Sequence, residues 1–181
     1  LALARLLLRR EIFEEAKLTY DKAITLEDPL VKTATLELAD QLYARGKDEY
    51  AMLLYDDLIK TLPDGRGPAI RYVEVLIRNG DIERAEEILE DLISRHGSDD
   101  TTYLLSAMIA AVQNDAQRAM TALDEAEKIR PQRAMIYFLR ARLFASMRDG
   151  AAKAMQEISR ALEFLLSVNK RRSVCFVVSD F

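Results

Sequence analysis

The 181-residue chain has no tryptophan, one cysteine, one histidine, six glycines and four prolines. A single thiol, Cys175, excludes an internal disulfide framework. His96 falls at a helix end and Cys175 within a short apolar run, so no nucleophile–base pair and no metal-ligand spacing is written in the chain. No cofactor is expected, and the chain reads as a non-enzyme. Scarce breakers imply mostly helical structure with short connections. No uninterrupted apolar run reaches the ~18 residues of a membrane span. The opening Leu1–Leu8 is interrupted by Arg5, is followed by Arg9 and Arg10, and has no small-residue cleavage site, unlike a secretory leader. With no initiating Met, residues 1–9 read as the remnant of a first helix in a processed chain or a fragment, and a cytoplasmic location is expected. The net charge of −4 is mild and scattered, with one basic cluster at Lys170-Arg171-Arg172, which argues against a nucleic-acid partner.

What the chain does have is a recurring stripe. Half of its residues are apolar and 31% are charged, proportions of an ordered, water-facing chain. The triplets Ala16/Tyr20/Ala23, Ala51/Tyr55/Leu58, Ala85/Leu89/Leu92, Ala119/Leu123/Ala126 and Ala154/Ile158/Ala161 share the spacing i, i+4, i+7 of one helix face. They return about every 34 residues, room for two helices and two turns. Between the helices stand Arg45-Gly46-Lys47-Asp48, Asn79-Gly80-Asp81 and Gln113-Asn114-Asp115. Gly and Asn tolerate the left-handed conformation that ends a helix, and Asp accepts from the free N–H groups of the next one. The last such turn, Arg148-Asp149-Gly150, carries one extra residue. Pro29, Pro63 and Pro131, with Gly97 in the equivalent place, close the units.

First helices carry columns of their own: Thr35, Ala69, Tyr103, Tyr137; Ala39, Val73, Ala107, Ala141; and Leu42, Leu76, Ala110, Phe144. A small middle column permits close helix pairing. The run Leu38-Ala39…Gly46…Tyr50-Ala51…Tyr55…Leu58…Pro63 resembles the tetratricopeptide repeat family, as does Ala107…Asp115…Ala119…Ala126…Pro131. The resemblance covers residues 1–166, divided as 1–29, 32–63, 66–97, 100–131 and 134–166. It implies an all-α, right-handed α-solenoid of stacked helix–turn–helix repeats, with 167–181 as a short extended C-terminal tail. It also implies a concave face lined by first helices that binds a peptide or amphipathic segment of a protein partner. By position, that face holds Leu36, Ile70, Leu104 and Phe138 as an open apolar column, beside Asp40, Glu74, Met108 and Arg142 and then Tyr43, Ile77 and Ala111. Asp40 and Glu74 stand where a clamp for C-terminal carboxylates needs cationic or neutral donors. An amphipathic or basic-and-apolar segment is therefore expected, its cationic part toward the N-terminal units.

The tail breaks the pattern. Ser173-Val174-Cys175-Phe176-Val177-Val178-Ser179 is β-branched and apolar, and reads as a strand. Together with the preceding Ala161–Leu166 it resembles a helix-then-strand piece of a von Willebrand factor A-like domain. In such domains an Asp at the place of Asp180 helps bind a divalent cation, but no Asp-x-Ser-x-Ser loop accompanies it here, so no metal is expected. The partner is a protein or peptide, with the chain's own tail and a second copy among the candidates. The leading function is an interaction scaffold. The alternatives are a self-assembling structural scaffold, or a regulatory or interaction region of a larger von Willebrand factor A-like metal-dependent protein.

Overall fold

The computed structural model describes residues 7, 12, 15, 16, 18, 19, 22, 29–62, 65–147 and 150–178, without the side chains of 29–31 and 168–178. Among the described residues there are eight α-helices and no strand: α1 (Pro29–Ala44), α2 (Asp48–Thr61), α3 (Arg66–Asn79), α4 (Ile82–His96), α5 (Asp100–Val112), α6 (Ala116–Ile129), α7 (Ala134–Ser146) and α8 (Ala151–Val178). They fall into two compact units, Leu1–His96 and Gly97–Phe181. Helices α1 to α7 are 13 to 16 residues long, marginal alone in water, so packing of their apolar stripes must hold them.

In the first unit α1 pairs with α2 and α3 with α4, while α3 also packs on α1 and α2. The repeated columns supply that interior. Thr35, Leu38, Ala39 and Leu42 of α1, Ala51, Leu54, Tyr55 and Leu58 of α2, Val73 and Leu76 of α3, and Ala85, Leu89 and Leu92 of α4 are all buried. Each fully buried leucine contributes roughly 2 kcal/mol. The second unit repeats the arrangement, with α5 on α6, α7 on both, and α8 on α7. Leu104, Ala107, Ala122, Leu123, Ala126 and Ile136 form one buried cluster. Ala110, Ala119 and Leu143 form another.

Three inter-helix turns share one geometry. Gly46, Gly80 and Asn114 have φ of 69°, 80° and 60°, the left-handed conformation read from the sequence. Each donates its N–H three residues back, and the next residue's N–H reaches five back: Lys47 to Leu42 O at 2.9 Å, Asp81 to Leu76 O at 3.0 Å, Asp115 to Ala110 O at 2.9 Å. The expected carboxylate cap forms at Asp115, which accepts from Arg118 N at 2.9 Å. Asp48 is instead bound by Arg78. In the longer last turn, a Cβ on Gly150 would sit 1.7 Å from Phe144 O, so only glycine fits there. Pro29 was expected to close a unit; it opens α1, at the first position where its missing N–H costs nothing.

The C-terminal expectation is corrected. Residues 167–178 are not extended, and 173–178 are not a strand: they continue α8 without a break from Ala151. No Gly or Pro interrupts 151–178, and β-branched residues cost a growing helix only a few tenths of a kcal/mol each. Residues 179–181, Asp180 among them, lie outside the described residues, and the von Willebrand factor A-like likeness gains no support. A tail lying extended in the groove is likewise replaced by helix.

Candidate partner-binding surface

In the first unit the predicted residues lie on α1 (Leu36, Asp40, Tyr43) and α3 (Ile70, Glu74, Ile77). Ile77 is buried, so it belongs to the core and not to an open column. Leu36 and Ile70 are half-buried. The two carboxylates already have partners within the chain. Tyr55 donates its hydroxyl to Asp40 Oδ1 at 2.6 Å. Arg71 bonds Glu74 Oε2 at 3.0 Å and stands 3.9 Å from Asp40 Oδ1. Burial first, and the bond to Asp40 second, push the Tyr55 hydroxyl far up from its ordinary range, so it stays neutral and donating. The pair with Glu74 raises Arg71 in turn. Tyr43 is taken up as well. The Arg78 guanidinium lies 3.7 Å from its ring centroid, bonds its carbonyl at 3.0 Å, and reaches Asp48 at 2.7 Å.

In the second unit the predicted residues lie on α5 (Leu104, Met108, Ala111) and α7 (Phe138, Arg142). Leu104 is 4% exposed and sits inside the core cluster, against the expectation of an open column. Met108 is half-buried, whereas Ala111 and Arg142 are exposed. Phe138 is 51% exposed, and the sequence reading missed Met135 and Val112, both 47% exposed. Helical spacing could have found Met135, because Met135, Phe138, Arg142 and Ala145 follow i, i+3, i+7, i+10 on one face. On α5, Val112 follows Met108 by one turn. Among the described residues Arg142 has no ion-pair partner. Its neighbour Arg140 is the opposite case: buried, with Nη2 2.5 Å from Asp124 Oδ1 and Nη1 2.6 Å from Glu127 Oε2. The column pattern carries no trace of that triad, since Arg140 and Arg142 look alike in sequence.

The face of α5 and α7 is therefore apolar beside the Arg142 cation, and that of α1 and α3 is a set of closed polar pairs. Helix hairpins stacked on shared columns, with Gly or Asn turns, define a helical-repeat protein. A family model described as a tetratricopeptide repeat matches residues 1–66 and 73–134, and the chain belongs to that family. Solved structures agree at the level of fold. A MamA fragment (41-end) from Desulfovibrio magneticus RS-1 is 18% identical, with 92% of this chain and 93% of that one covered at a TM-score of 0.64. A thermophilic TPR protein of Thermus thermophilus, TTC0263, is 20% identical over 74% of each chain at 0.66. A tetratricopeptide repeat protein of Parabacteroides merdae ATCC 43184 is 17% identical, covering 90% of this chain and 62% of that one at 0.71. No curated protein matches the sequence. No helix among the described residues is long and apolar enough to cross a membrane.

Proposed function

We propose that this chain is a non-catalytic interaction module that holds a peptide or amphipathic segment of a partner protein against its first helices, with the α5–α7 face supplying most of the affinity. The observation that carries the reading is the exposure of Phe138 and Met135 on α7 and of Val112 on α5, with Met108 half-buried on α5. Leaving such area in water costs about 25 cal/mol per Å². An apolar anchor on the partner gains by covering Phe138, and a carboxylate near it gains from Arg142. Asp40 and Glu74 attract little, because Tyr55 and Arg71 already satisfy them. The partner's segment is accordingly apolar-and-acidic on this face, a change from the basic segment that the acidic column suggested.

The test is recovery of bound proteins from the native source with wild-type protein and with Phe138→Asp/Arg142→Glu. Both positions are exposed, so the variant should keep its helical circular dichroism. The recovered segment should bind the variant at least ~10-fold more weakly by calorimetry, a loss of about 1.4 kcal/mol. Equal affinity would remove the α5–α7 face from the account.

A further inference from the structure

Helix α8 packs on α7, and among its described side chains, which run to Ser167, one side is covered. Ala154 and Glu157 are buried, and Ala161 and Phe164 are half-buried. Met155, Ile158, Leu162, Leu165 and Leu166 are 71%, 48%, 55%, 53% and 69% exposed. Their steps of three and four residues trace one stripe, the pattern of a helix–helix seam. At about 100° per residue, Lys153, Gln156, Arg160 and Glu163 fall on the other side, so no charge interrupts the stripe. Arg160 is held by Glu157 at 3.1 Å, away from it. Ile158 belongs to the fifth repeated triplet, and in the three described second helices before it the equivalent side chains, Tyr55, Leu89 and Leu123, are buried.

We infer that a second copy of this chain covers this stripe, α8 pairing with α8 about a two-fold axis. The exposed feature is a ridge of side chains along one helix and not a groove, so it suits another helical ridge better than an extended peptide. A two-fold pair needs a self-complementary patch, which an uncharged apolar stripe provides. Covering the five side chains removes on the order of 500 Å² from each copy, ~1,000 Å² for the pair, near the lower edge of specific interfaces before flanking residues are counted. A modest, concentration-dependent dimer follows.

Sedimentation equilibrium across a concentration series tests this. The wild-type mass should rise from 20.6 kDa toward twice that value. Leu162→Glu/Leu166→Glu should stay at the single-chain mass with unchanged helical circular dichroism, its association weakened at least ~100-fold by forcing charges into the seam. Met155→Arg, at the most exposed position, serves as a second variant should the double change perturb folding. Phe138→Asp, on another helix, should dimerise like wild type. A wild-type chain that stays at 20.6 kDa throughout, or a folded α8 variant that dimerises as well as wild type, overturns the inference.

Discussion

The two units have the same helix plan and opposite surfaces on their first helices. In the first, the positions facing out from α1 and α3 are occupied by groups that bond one another: Asp40 with Tyr55, Glu74 with Arg71, Tyr43 with Arg78. In the second, Arg140 is buried and paired with Asp124 and Glu127, and the outward positions of α7 are left to Met135, Phe138 and Arg142. The lesson is that one repeat template separates fold from function. The columns that stack the hairpins are common to both units, whereas the positions between them decide whether a face is closed or available.

The largest effect that can break this comparison is removal of the interior cation. Arg140→Ala removes a buried cation with two charge-assisted bonds, while Asp124 and Glu127 keep access to water, and should cost about 1.5 kcal/mol in denaturant unfolding. Arg71→Ala in the first unit removes a half-exposed arginine and should cost about 0.5 kcal/mol. Similar losses for the two variants would mean that the charges of both units play the same part.

A smaller and more specific effect concerns pH. Burial, then the neighbouring Asp56, pushes Tyr72 up to about 12 from 10.0, and Tyr55 is raised further in the same direction. A phenol whose folded-state pKa is raised contributes stability that is present below its unfolded value and lost as pH rises through the folded one. Stability should therefore fall between pH 10 and 12 for the Tyr72 contribution. Tyr72→Phe should flatten that fall relative to wild type when denaturation midpoints are compared at several pH values. An unchanged slope would show that the ring does not titrate against the folded state.

Much of this was legible in residues. Gly46, Gly80 and Asn114 announced left-handed helix ends because few other residues take that conformation cheaply, and the columns Ala39/Val73/Ala107/Ala141 announced buried contacts because small side chains recur there. The open face was read less well. Leu104 and Ile77 occupy positions that periodicity leaves ambiguous, and the packing of neighbouring helices draws them into the core. The pairing of Arg71 with Glu74 and the burial of Arg140 depend on which helix lies opposite, which a stripe cannot report. The tail misled for a local reason: Val174, Val177 and Val178 favour strands in isolation, but an uninterrupted helix beginning at Ala151 propagates through them.

The central claim is that a bound partner rests on α5 and α7. Amide hydrogen exchange with and without the recovered partner segment measures this directly. Exchange should slow in α5 and α7 and stay the same in α1 and α3. Slowing confined to α1 and α3, or to the second helices α2 and α4, would contradict it.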